Sequence, residues 1–155
     1  LESVLWNKLD NDIISYFNGN PDLSSRVQNN RIEENDLILH DAMRHIGESE
    51  NLLYTTLYRN THPIHFNYMR YDKKQIIVCG GFVMAVVLGN AMKDFKQVIA
   101  QKIINCSHIN KVTVGDNLSS VSFIYRRVLN GNIETLKMVS LGLVNIDSAR
   151  KLKSN

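Results

Sequence analysis

The chain has 155 residues, 44% of them apolar and 21% charged, with a net charge of +3. Those fractions are globular averages and exclude a wholly disordered chain. The 18 lysines and arginines are scattered rather than gathered into the basic stripe of a nucleic-acid binder, and the two cysteines, Cys79 and Cys106, form no C-x-x-C pair, which excludes a disulfide framework or a cysteine zinc site.

The length suits one domain spanning 1–155, and free cysteines suit a reducing, intracellular setting. Eighteen asparagines hint at an AT-rich genome, viral or invertebrate. The chain opens on Leu1 without a signal-peptide pattern, which reads as a trimmed chain and leaves open a membrane anchor beyond Asn155.

In chain order, hydrophobic spacing predicts helix nearly throughout. Leu5, Leu9, Ile13 and Tyr16 or Phe17 share a stripe that Gly19 and Pro21 end. A polar loop over 20–31 precedes a second amphipathic helix from about Glu33 to Gly47. Ser49 caps a third, and Pro63 with His62 and His65 interrupts the pattern, leaving room for a short fourth. Residues 76–92, IIVCGGFVMAVVLGNAM, carry no charge and read as a buried central helix. Further helices are predicted over about 94–105, 118–129 and 133–141, with Gly131 between the last two.

The candidate sites are weighed on spacing. The glycines Gly80, Gly81 and Gly89 form neither G-x-G-x-x-G nor a Walker loop. The strongly apolar part, 76–89, makes about 21 Å of helix, short of the ~30 Å bilayer core. His62-x-x-His65 lacks the third and fourth ligands of a metal site, so these histidines read as surface or core residues. No serine sits in a G-x-S-x-G elbow. Arg59, within LYRNTH, resembles the arginine strand of ADP-ribosyltransferases, but no E-x-E follows. No catalytic site, cofactor or metal is expected, and the chain reads as non-enzymatic.

The second predicted helix carries LHDAMRHIGES. Leu39, Met43 and Ile46 step by four and three, followed by Gly47 and Glu48. Apolar anchors with one small and one acidic residue describe a helix that lies in a groove. This resembles the third homology motif of the Bcl-2 family, and the apolar helix begins 29 residues after Gly47, near the family spacing. The resemblance implies an all-α, Bcl-2-like bundle of seven to eight helices around a central hydrophobic helix. It implies an apoptosis regulator, survival-promoting by its glycine pair, that captures the amphipathic death-motif helix of pro-apoptotic partners. Leu53, Tyr54, Tyr58, Phe66, Arg70 and Gly80 would line the groove, with Arg70 as the charge partner, and the protein would be cytoplasmic or on the mitochondrial outer membrane. The alternatives are a pro-apoptotic member exposing its own motif helix, or an unrelated all-helical pathogen effector.

Overall fold

The computed structural model describes residues 32–95 and 98–146. Strand β1 (Leu37–His45) leads into helix α1 (Glu48–Leu57), a 3-10 turn (Pro63–His65) and helix α2 (Gly80–Met92). Strands β2 (Asn117–Asn130) and β3 (Ile133–Val144) complete a three-stranded sheet of order β1-β2-β3, antiparallel throughout. Helix α2 lies across one face of that sheet and packs on all three strands.

Local chemistry accounts for each element. Asn130 pairs with Ile133 across the two-residue loop Gly131–Asn132, and Gly131 has φ +58. A glycine first in such a loop with positive φ fits a type II′ hairpin, whose twist matches that of the strands. Along β2, Leu118 and Ile124 face α2, while Val121 and Phe123 pack with Leu37, Val139, Leu141 and Leu143 on the other side. Below α2 the sheet presents small side chains, Ser120, Ser122, Ser140 and Gly142. They let the helix approach so closely that a β-carbon on Gly142 would stand 2.6 Å from Val87 Cγ2. Helix α2 buries Phe82, Val86, Val87, Asn90 and Ala91, and at 13 residues it is about 20 Å long.

The expected all-α, Bcl-2-like bundle does not form. Two α-helices occur among the described residues, and the segments 118–129 and 133–141 lie in β2 and β3. Their backbone groups are satisfied by cross-strand ladders, and their apolar residues are shared between two buried faces. The described part of 94–105 is a turn followed by chain without regular secondary structure. The first predicted helix, with Trp6, lies outside the described residues. The uncharged stretch does become a buried helix, from Gly80 onward, but it packs on a sheet rather than among helices.

The homology-motif helix is likewise corrected. Leu39 and Met43 belong to β1, where Leu39 pairs with Val121. Ile46 is a fully buried connector bonded to Gly115 and Asp116, Gly47 is the N-cap of α1, and Glu48 opens that helix. With no bundle there is no groove between a second and a fifth helix to hold a death-motif partner. Apoptosis regulation, the mitochondrial location tied to it, and both all-helical alternatives lose their basis. Among the described residues no helix is long and apolar enough to cross a membrane.

Candidate functional site

The region between α1 and α2 gathers polar side chains at the start of the most apolar helix. It begins where α1 ends. The Asn60 N–H donates to the Thr55 carbonyl at 2.9 Å and the Arg59 N–H to the Thr56 carbonyl at 3.1 Å. That is a Schellman ending, with Arg59 in the left-handed position at φ +50. Glycine is favoured there, and an L side chain costs roughly 1–2 kcal/mol.

The reversal aims Asn60 back at the core. Its Nδ2 donates to Cys79 Sγ at 3.4 Å and its Oδ1 accepts from the His62 N–H at 3.1 Å. His62 Nδ1 then accepts the Ile64 N–H at 3.4 Å, capping the 3-10 turn that Pro63 starts. At the end of that turn stands His65, whose Nδ1 lies 2.9 Å from the Ile77 carbonyl. A carbonyl only accepts, so Nδ1 carries the proton and the lone pair is at Nε2. Asn51, 1% exposed, ties the assembly together. Its Nδ2 donates to the His65 carbonyl at 2.9 Å, and its Oδ1 accepts the Cys79 N–H at 3.2 Å.

Cys79 is the N-cap of α2, so Gly80 and Gly81 are its first two residues. Their N–H groups precede the first intrahelical bonds, and neither has an acceptor among the described residues. The helix dipole adds partial positive charge at this end. A β-carbon on Gly80 would overlap the His108 ring, and one on Gly81 would stand 2.7 Å from the Tyr54 hydroxyl. Both glycines therefore let a polar-tipped ring close on the helix start. Tyr54 stacks between Tyr58 and Phe82, and burial and the neighbouring Tyr58 push its hydroxyl's pKa up, keeping it protonated. An open groove of about 420 Å³ adjoins the site, walled by Leu52, Phe66, Thr55, Thr56, Asn60 and Arg59.

Of the residues expected to line a partner groove, Tyr54, Phe66 and Gly80 come together here. Leu53 is 61% exposed on α1, Tyr58, the C-cap of α1, stacks on Tyr54 but is 68% exposed, and Arg70 is exposed in the following loop. Asn51, Asn60, Cys79, Gly81 and His108 carried no motif. The one sequence signal was His62-Pro63-Ile64-His65 shortly before an uncharged helix. No group of three or more metal-ligating side chains occurs among the described residues.

A second constellation, Asp94–His40–Ser122, has the bonding order of a hydrolytic triad, with Nδ1 2.5 Å from Asp94 and Nε2 2.8 Å from the Ser122 hydroxyl. His40 and Ser122 are both 0% exposed. A nucleophile sealed beneath α2 meets no substrate, so this group is a structural network.

No family model matches the chain, and no curated protein matches it. Solved structures do. A protein described as a MaoC domain dehydratase from Chloroflexus aurantiacus aligns with 76% of this chain at TM-score 0.66 and 22% identity, and the chain spans only 35% of its length. A monoamine oxidase regulatory protein from Archaeoglobus fulgius aligns with 74% of the chain and 82% of its own, at TM-score 0.63 and 15% identity. The HadBC (3R-hydroxyacyl-ACP dehydratase) complex from Mycobacterium tuberculosis aligns with 72% of this chain and 86% of its own, at 0.55 and 13%. These likenesses establish the fold, an antiparallel sheet laid along a long helix and known as the hot-dog fold.

Proposed function

We propose that the chain is a hydratase or dehydratase domain that adds water reversibly across the double bond of an enoyl thioester. The observation that carries this reading is the lone pair of His65 Nε2, in a turn that Asn51 ties to the start of α2, where two N–H groups have no acceptor among the described residues. Two of the similar structures bear the dehydratase name, which agrees with that chemistry and runs against the non-enzymatic expectation.

Hydration needs charge stabilised at one point and a proton moved at two others. A thioester oxygen lying against the Gly80 and Gly81 N–H groups draws electrons from the conjugated double bond. His65 Nε2 takes a proton from water as the water oxygen bonds to the β-carbon. The π pair moves onto the thioester oxygen as an enolate, held by the two N–H groups. His108, over the same turn, returns a proton to the α-carbon when it acts in its protonated form. The substrate gains one hydroxyl and one hydrogen, and both histidines recover their starting states by exchanging a proton with solvent. Asn60 is a carboxamide and carries no transferable proton. Its part is to hold the catalytic turn against Cys79.

The test is incubation with trans-2-enoyl thioesters of graded length, following loss of the conjugated absorbance. Wild-type protein is expected to turn over at least one of them, and His65→Gln to lower kcat by roughly 10²–10⁴-fold, the usual range for a general base. A folded wild-type protein that hydrates none, and dehydrates none of the 3-hydroxy products, rejects the reading.

A further inference from the structure

We propose that Arg59 is the specificity residue of this site, its guanidinium holding an oxyanion carried by the substrate. The proposal rests on the hydratase reading and adds to it the kind of thioester accepted. Three independent features converge on Arg59.

The first is its backbone. The Schellman bonds at the end of α1 would close equally well around glycine, which adopts φ +50 without strain. An arginine retained in a strained conformation marks a position where the side chain matters, and such outliers gather at ligand sites. The second is its setting. Arg59 is the one charged residue lining the 420 Å³ groove, whose walls are otherwise apolar or neutral. The hydroxyls of Thr55 and Thr56 are already used, donating to the Asn51 and Leu52 carbonyls of their own helix. The guanidinium is thus the one charged donor the groove offers a ligand, beside the Thr61 hydroxyl. The third is that it makes no ion pair or side-chain hydrogen bond among the described residues, so its guanidinium is available to a ligand.

The position also fits the reaction. Asn60 follows Arg59 directly and touches Cys79 at the start of α2, while Phe66, which also lines the groove, follows His65. A substrate reacting at His65 and extending into this groove meets the guanidinium. The planar fork matches the two oxygens of a carboxylate or a phosphate, binding either bidentately. Two parts of a thioester can supply that group: a carboxylate ending the acyl chain, or a phosphate on the carrier.

The experiment compares four enoyl thioesters: a methyl-ended and a carboxylate-ended acyl chain of equal length, each on a phosphorylated carrier and on a phosphate-free truncated thiol. Arg59→Gln and Arg59→Gly are assayed beside the wild type. Arg59→Gly relieves the backbone strain, so a loss shared by both variants is not a loss of fold. A drop in kcat/KM of roughly 10–100-fold, mainly through KM, is the size expected for hydrogen bonds to a charged group. Confinement of that drop to the carboxylate-ended chains identifies the acyl carboxylate. Confinement to the phosphorylated carrier identifies the phosphate. An equal loss on all four substrates, or none, overturns the proposal while leaving hydration by the wild type standing. A wild type that hydrates none of the four overturns the proposal and the hydratase reading together.

Discussion

Asn51 joins three elements through one polar side chain. It sits on α1, accepts the N–H of the residue that caps α2, and donates to the carbonyl of His65. The bond to the Cys79 N–H is buried and that to the His65 carbonyl partly so, and Asn51 itself is 1% exposed. Asn51→Ala leaves a buried donor and a part-buried acceptor unpaired, at about 1–3 kcal/mol for a fully buried group. We expect a total loss of about 2–4 kcal/mol, read as a lowered denaturation midpoint at unchanged slope. Thr56→Ala is the control. Its hydroxyl bonds the Leu52 carbonyl at an exposed position, and such surface changes stay within about 0.5 kcal/mol. Equal stability of the two variants would remove Asn51 as the link between the catalytic turn and α2.

At the scale of elements, the contact that fixes the depth of α2 on the sheet is Gly142 against Val87. A β-carbon 2.6 Å from Val87 Cγ2 has nowhere to go, because a helical valine is held to one rotamer and both neighbours belong to paired elements. Gly142→Ala should cost about 1–3 kcal/mol as overpacking. Val87→Ala introduced with it should restore part of that loss, giving a coupling of about 0.5–3 kcal/mol in a double-mutant cycle. Strict additivity would mean that the helix yields elsewhere.

The same close packing explains why the strands were hard to read. β2 and β3 bury apolar side chains on both faces, Ile124 and Met138 toward α2 and Val121, Phe123 and Leu141 away from it. Alternation then disappears, leaving apolar runs that a helical template also fits. Likewise Leu39, Met43 and Ile46 matched a helical stripe although the first two are strand residues and the third a connector. The spacing held a signal that the helical reading of 118–129 and 133–141 passed over: two apolar runs separated by the pair Gly131–Asn132 also fit a hairpin. The length and absence of charge of 76–92 did announce the buried helix. The site was legible only as a proline-bracketed histidine pair, because Asn51, Asn60 and His108 reach it through tertiary contacts that no sequence spacing encodes.

For the molecule as a whole, one buried proton chain links α2 to every strand. With His40 neutral and its Nδ1–H donating to Asp94, just past the end of α2, at 2.5 Å, Nε2 accepts from the Ser122 hydroxyl at 2.8 Å, which leaves Ser122 to accept from Ser140 at 2.7 Å. The chain thus runs from β3 through β2 and β1 to the helix. Its direction requires a neutral His40, since a protonated Nε2 would confront the hydroxyl proton of Ser122 and force the hydroxyls to turn. Burial pushes the His40 pKa below 6.5, outweighing the hydrogen bond and the charge of Asp94, which raise it. Above pH 6.5 neither the folded nor the unfolded chain binds this proton, and stability is at its plateau. As pH falls below that value the unfolded chain takes up a proton that the folded one refuses. Stability should then decline by up to about 1.4 kcal/mol per pH unit toward the folded-state pKa. The carboxylates Glu50 and Asp116, held low chiefly by hydrogen bonds from Gly47 and from Thr113 and Asn145, lose their contribution in a separate window below about pH 4.5. Denaturant titrations at a series of pH values should therefore show a first decline just below pH 6.5. His40→Gln, which can hydrogen-bond but cannot titrate, should be less stable at neutral pH and lack that first decline. Its persistence in the variant would assign the acid sensitivity to another histidine and leave the serine–histidine chain as packing alone.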